Sequence, residues 1–376
     1  MRFESLCYIF LFTMKLGIIG LPQAGKTTIF NALTRGDKPV GGARQVGGGR
    51  FEVQTAVVPV PDARVDTLSA MFKPRKTIYA QVVYADIAGL QAPDEAKDKG
   101  GFSGQLLNQL GTMDGFLQVV RAFENPAVPG NANPARDLAA LESELLLNDL
   151  VAVERKLERL GEDGRKGIIK DKGLHAQEVA LFTKLKEALS AETPLRTLEL
   201  SAAEEKQLAS FQLLTRKPKL VVFNVGDEDN VPVPETVPGG AQAVKLKGKL
   251  EMELAQLPPE DAELFMQEYG IKELGLNRVI QISYDLLGLQ SFFTVGEDEV
   301  RAWTTARGAT APEAAGEIHT DLQKGFIRAE VYSYEDIVTH KTVAELKAKG
   351  RFRLEGKEYI VQDGDILNIR FSPPGK

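Results

Sequence analysis

Apolar residues recur along the chain with a spacing that changes several times. Lys15-Leu16-Gly17-Ile18-Ile19 is a short apolar run suited to a buried strand, and Thr28-Ile29-Phe30-Asn31-Ala32-Leu33 continues as a helix. Residues 57–62 predict a short strand stopped by prolines, 65–72 a helix, 78–85 a second strand and 117–121 a third. From residue 136 the period lengthens: Leu146, Leu150, Val153, Leu157 and Leu160 form a helical seam. Glycine and charge at 161–173 break it, and Val179, Leu181, Leu185 and Leu189 predict a return helix, so this stretch reads as an antiparallel hairpin inserted into the surrounding domain. The sheet resumes at Lys219-Leu220-Val221-Val222-Phe223, followed by a helix over 251–269 and a strand or extended segment over 279–284. After residue 318 short strands at 326–332, 352–354, 359–361 and 366–370, with one helix at 342–349, predict a small α+β module of ubiquitin-like size.

The chain has 376 residues, 43% hydrophobic and 26% charged, enough for two or three domains. Its net charge of −6 supplies no global basic field, so a nucleic-acid contact needs a local patch. Lys347, Lys349, Arg351, Arg353 and Lys357 cluster in sequence, and an RNA-facing patch and a solvated face are equally open there. With Cys7 as the one cysteine no internal disulfide can form, and with 3 His no structural zinc site is credible. The apolar run before Met14 is too short to span a bilayer and lacks a small-residue cleavage site; residues 1–13 are expected to be a non-native or mis-assigned extension.

Chemistry concentrates in GLPQAGKTT, which places Gly20, Gly25, Lys26 and Thr27 in the pattern G-x-x-x-x-G-K-[ST]. Glycines let such a loop wrap so that backbone N–H groups point at phosphate oxygens. Gln23, Ala24 and Thr28 lie in the same wrap. Lys26 would reach the β/γ-phosphates, the Thr27 hydroxyl would bind Mg2+, and the following helix would aim its N-terminus at the anion. Asp86 ends the predicted strand and opens Asp86-Ile87-Ala88-Gly89, the place for a carboxylate that holds the Mg2+ water shell and a glycine that senses the γ-phosphate. Leu90 follows, and a leucine cannot orient water. Asn224-Val225-Gly226-Asp227 stands where a base-reading loop belongs, with Val225 in place of the usual lysine, so adenine competes with guanine. The glycine-rich stretch 36–49 reads either as a loop closing on the γ-phosphate or as a surface linker.

Together GLPQAGKTTIFNAL, VPVPDARVD, DIAGL, VVRAFE, SYDLLGLQSFFTVGEDEVRAW, AAGEIHTDLQKGFIRAEV and EGKEYIVQDGDI make the chain resemble the YchF/Obg-like ATPase family from Met14 to about Ser372. The resemblance implies an α/β Ras-like P-loop NTPase domain over 14–135 and 216–288. It also implies an inserted α-helical coiled-coil hairpin over 136–215 and a C-terminal β-grasp (TGS) domain over 289–376. It further implies a cytoplasmic protein that hydrolyses ATP, or GTP, with Mg2+ and docks on the ribosome or rRNA through the TGS domain and the hairpin, with no membrane or DNA partner. By the same resemblance Lys26 and Asp86 would be catalytic, and Asn224 and Asp227 would read the base. The chain departs from the family at several positions, three of which bear on the chemistry. Arg50 stands where a switch Thr is expected, Gln109 near a candidate catalytic His, and Asp227 where the family has Glu. These departures leave open a nucleotide-gated binding module with negligible hydrolysis.

Overall fold

The structure, a computed structural model, describes residues 14–36, 53–87, 102–228 and 230–373. The run before Met14, most of the 36–49 stretch, Arg50, Gly89 and Leu90 lie outside the described residues. In chain order the elements are β1 (Lys15–Ile19), α1 (Lys26–Thr34), β2 (Gln54–Pro59), α2 (Ala63–Phe72), β3 (Lys76–Ile78), β4 (Gln81–Asp86), α3 (Gly104–Gly111) and β5 (Gly115–Ala122). Then come α4 (Pro134–Lys166), α5 (Lys172–Ser190), α6 (Ala202–Leu208), β6 (Lys219–Val225), β7 (Gln242–Leu246), α7 (Gly248–Gln256), α8 (Pro259–Glu268) and α9 (Gly275–Leu286). The chain ends with β8 (Leu289–Val295), β9 (Glu299–Ala306), α10 (Ala311–Ile318), α11 (Thr320–Lys324), β10 (Phe326–Ser333), α12 (Tyr334–His340), α13 (Val343–Ala348), β11 (Arg353–Glu355) and β12 (Asp365–Phe371).

Two compact units share these elements: residues 15–56 with 84–279, and residues 57–83 with 280–376, the division falling within β2, β4 and α9. The first is built on a sheet in the order β2-β4-β1-β5-β6-β7, in which β1, β5, β6 and β7 run parallel. Strands β5 and β6 are buried along their whole length, which is why they read as continuous apolar runs. On one face Ile19, Ala85, Ile87 and Phe116 pack with Leu106 and Leu110 of α3 and Leu141 and Leu145 of α4. Further along α4, Leu146, Val153 and Leu160 pack with Leu181, Leu185 and Leu189 of α5 in a separate core. The predicted hairpin is therefore present, but its break is shorter than the glycines suggested. Gly161 and Gly164 stay helical, and α4 stops only at Gly167, whose φ of 67° is the left-handed turn a helix end favours. Asp171 then caps α5 by accepting from the Gly173 and Leu174 amides.

The second unit carries a sheet in the order β11-β10-β12-β8-β9-β3. Its core joins Phe292, Trp303, Phe326, Val331 and Leu367 to Ala311, Ala314 and Ala315 of α10, whose small side chains let that helix approach closely. Several sequence expectations need correction here. Residues 78–85 are not one strand: β3 pairs with β9, while β4 belongs to the sheet of β1, and the chain breaks at Tyr79-Ala80, where the Ala80 carbonyl accepts from the Val60 amide. Residues 279–284 are helical, within α9. The buried positions Leu276, Val279, Ile280, Ser283, Tyr284 and Leu287 have the helical period, which a six-residue window cannot show. The helix expected over 251–269 is two, parted at Leu257-Pro258. Residues 359–361 form only an isolated bridge from Ile360 to Thr310, and three short helices, not one, accompany the strands after residue 318.

Candidate nucleotide site

The site lies at the carboxyl end of β1, where the chain turns from a buried strand into α1. Two glycines make the turn possible. Gly20 has φ 155° and a side chain there would meet the Val119 carbonyl oxygen at 2.3 Å; Gly25 has φ 91° and its Cβ would meet Asn224 Nδ2 at 2.2 Å. Gln23 is exposed and left-handed at φ 60°, a conformation with a cost for a side chain. Ala24 is buried and its amide donates to the Leu21 carbonyl at 3.3 Å. Gly25 gives α1 no side-chain cap, and the first turn carries no acidic residue. The first N–H groups of α1 therefore have no partner within the helix, and no acidic side chain of the helix's own first turn competes with an anion.

Lys26 folds back over the loop, donating from Nζ to the carbonyls of Gly20 (2.8 Å) and Leu21 (3.0 Å). Burial pulls its pKa down to about 8, against the opposing charge of Asp86. Thr27 is the next residue, and its Oγ1 donates to Asp86 Oδ2 at 3.4 Å. A hydroxyl and a carboxylate so placed are hard oxygen donors of the kind Mg2+ takes, one as direct ligand and one through water. No group of three or more His, Cys, Asp or Glu gathers among the described residues, so a cation here would draw its remaining ligands from phosphate and water. Thr28 is buried one position further into α1.

The predicted base-reading residues separate into two kinds. Asn224 is 4% exposed, and its side chain is fully engaged: Nδ2 donates to the Ala24 carbonyl at 3.1 Å and Oδ1 accepts from the Gly248 amide at 3.1 Å. It ties the phosphate loop to the start of α7. Val225, 5% exposed, points to the other face of β6 and packs with Val120, Ala122, Leu138, Val221 and Phe223. The strand alternation that directs Asn224 to the loop directs Val225 away from it. Asp227 is exposed, and Lys247 Nζ donates to its carbonyl at 2.7 Å. Gly89 lies outside the described residues. Sequence reasoning missed the role of Gly248. Gly248 offers an amide to Asn224, and its Cβ would meet Asn224 Oδ1 at 2.6 Å; no motif in the sequence signals that fit.

Comparison with known proteins extends over nearly the whole chain. Residues 289–372 match the family described as YchF-GTPase_C, a protein of unknown function. The chain is 41% identical over 369 residues to the ribosome-binding ATPase YchF of Shigella flexneri, covering 95% of this chain and 99% of that protein. It is 38% identical over 372 residues to the ribosome-binding ATPase YchF of Bacillus subtilis (strain 168), covering 95% and 98%. Among solved structures, that of the Schizosaccharomyces pombe YchF GTPase superposes with a TM-score of 0.82 at 31% identity, covering 95% of this chain and 98% of that one.

Proposed function

The chain belongs to the YchF family, and on that premise we propose that it is a ribosome-associated nucleotide hydrolase that binds ATP, with GTP as the competing nucleotide, and turns it over slowly with Mg2+. The observation that carries this reading is the alignment of Lys26, Thr27 and Asp86 on the uncapped N-terminus of α1. The amides of the loop from Gly20 through Gln23, Ala24 and Gly25 to Thr28 would wrap the phosphates. Lys26 would exchange its loop carbonyls for phosphate oxygens, Thr27 would ligate Mg2+, and Asp86 would hold the water shell. Bound there, Mg2+ supplies charge neutralisation on the phosphate chain. Asp227, exposed at the end of the β6 loop, would read the base, and Asn224 would act on it indirectly by fixing Ala24 and Gly248. Gly89 keeps its expected part as γ-phosphate contact.

The same reading assigns 14–135 with 216–288 to the nucleotide domain, 136–215 to the hairpin and 289–376 to the TGS domain, and makes the last two the ribosome- or rRNA-facing parts of a cytoplasmic protein. Among the described residues no helix is long and apolar enough to cross a membrane. Calorimetric titration with non-hydrolysable ATP and GTP analogues plus Mg2+ tests the ligand, and a wild-type protein that binds neither sinks the proposal. A second reading, a nucleotide-gated binding module with negligible hydrolysis, draws on Gln109 in α3, an amide where an imidazole was expected. Single-turnover assays with and without ribosomes separate the two, since only a hydrolase releases phosphate in either condition.

A further inference from the structure

Strand β5 carries a cation into the interior of the nucleotide unit. Arg121 is 3% exposed and stands in register with Asn224 on the neighbouring parallel strand. Paired residues of a parallel sheet share a face, so Arg121 projects on the side where Asn224 meets Ala24, Gly25 and Gly248. Two positions back along β5, the Val119 carbonyl is the atom that a side chain on Gly20 would strike. Arg121 therefore stands on β5 beyond the last residue that pairs with β1, on the face of the sheet that carries the loop. Ligands of open parallel sheets bind at this carboxyl edge.

The surroundings do not explain a charge there. Arg121 Nη1 is buried without a hydrogen-bond partner, and among the described residues no carboxylate pairs with the guanidinium. Asn224, its neighbour across the strands, touches the starts of both α1 and α7, the positive ends of helix dipoles. Burying a charge without a partner is costly, and positive neighbours raise that cost. An apolar residue would suit β5 better unless an anion arrives. Gln118 on the same strand is also buried with an unpartnered Oε1, but it lies in register with Ile19, on the face of α3 and α4, and does not share the face of Arg121.

We propose that Arg121 is an anion-binding residue of the nucleotide site, its guanidinium taking a phosphate oxygen of the bound nucleotide. This rests on the nucleotide-binding reading above. The guanidinium presents several N–H groups in one plane, which suits it to a phosphate whose position the loop amides already fix.

The test compares wild type, Arg121→Met and Arg121→Lys by thermal melting and by calorimetry with Mg2+ and a non-hydrolysable ATP analogue, ADP and adenosine, and with the guanine series in parallel. Arg121→Met keeps an unbranched apolar stem, shorter than the arginine's, and removes the charge. The expected result is a crossed one: the ligand-free variant melts higher than wild type, while affinity for the di- and triphosphate falls roughly tenfold or more and affinity for the nucleoside stays the same. Should Arg121→Met fail to fold, Arg121→Lys carries the test; it retains charge without the planar fork, so phosphate affinity falls severalfold and nucleoside affinity does not. A variant that melts lower and binds every ligand as wild type does, or loses all of them equally, overturns the proposal and leaves Arg121 a packing residue. A wild-type protein that binds no nucleotide overturns the nucleotide reading itself, and the proposal with it.

Discussion

Asn224 donates its side-chain amide to the Ala24 carbonyl at 3.1 Å across 200 positions of chain. With its second bond, from the Gly248 amide, it holds both the phosphate loop and the start of α7. Asn224→Ala would leave a buried carbonyl and a buried amide unpaired, at about 1–3 kcal/mol each. Nucleotide affinity should fall by at least tenfold, with a lower melting temperature. Asn224→Asp keeps the acceptor for Gly248 and sets a carboxylate against the Ala24 carbonyl, so it should bind no better than the alanine variant. Calorimetry on both checks this.

Lys26 should make nucleotide binding consume protons in mild alkali. Its pKa of about 8 in the free protein reflects burial, only partly opposed by Asp86, and a triphosphate would favour the charged form. At a pH near 9, binding should take up a fraction of a proton that vanishes near pH 6. Titrations in buffers of different ionisation enthalpy measure it, and Lys26→Ala should bind the triphosphate analogue weakly with no uptake. The linkage to stability has the opposite setting. Between about 8 and the ordinary lysine value of 10.5 the unfolded chain holds more protons than the folded one, so the Lys26 contribution to stability rises with pH across that window.

Glu142 should anchor the nucleotide unit. It is buried between Arg196, at 2.6 Å, and Lys219, which is itself buried. Burial pushes the Glu142 carboxyl up, but the charges of Lys219 and Arg196 outweigh it and hold the pKa below the usual range. Glu142→Gln would leave two buried cations facing each other, at about 3–5 kcal/mol. A depressed carboxyl stabilises above its unfolded pKa, and the contribution is lost as pH falls through the folded value. Urea melts should therefore show wild type losing stability below its neutral-pH value in acid, with a shallower acid slope for the variant.

Arg64 should do similar work in the other unit, on a smaller scale. Its guanidinium bonds Asp62, the N-cap of α2, at 2.8 Å and Asp363 at 2.7 Å, and lies 5.1 Å from the centre of the Phe293 ring. Asp363 in turn accepts from the Ser291 amide at 3.0 Å. Arg64→Ala should cost about 1–2 kcal/mol, mostly by removing the partner of the partly buried Asp62, since Asp363 is more exposed and keeps the Ser291 amide, and Arg64→Lys should recover only part, because an ammonium cannot fork to both. Chemical denaturation of the full chain reads the loss.

The turn from β1 into α1 was legible because its pattern is local: Gly20, Gly25, Lys26 and Thr27 lie within eight residues, and spacing alone places them at the helix start. The hairpin was legible from the leucine seam of α4 and α5, though a rule that glycine ends helices misjudged Gly161 and Gly164, whose exposed sites carry no tertiary demand for a break. What the sequence hid was long-range. Residues 78–85 look like one strand, because nothing in their alternation tells that the first part pairs with β9. Val279 and Ile280 look like a strand until Leu276, Ser283 and Tyr284 are counted with them. Asn224 was expected at the base, and the partners that engage it, Ala24 and Gly248, lie 200 and 24 residues away.

Helix α4 has 33 residues and so a length of about 50 Å at 1.5 Å per residue. Its first turns are set in the core of the nucleotide unit through Leu138, Leu141 and Leu145, whereas Leu146, Val153 and Leu160 belong to the hairpin's own core. Such a helix is a lever with a short seated end. Beyond Leu145 the arm is about 32 Å long, so a tilt of about 5° at the seat carries the far end through roughly 3 Å, and because α3 packs against the same seated leucines, a small rearrangement there would arrive at the tip magnified.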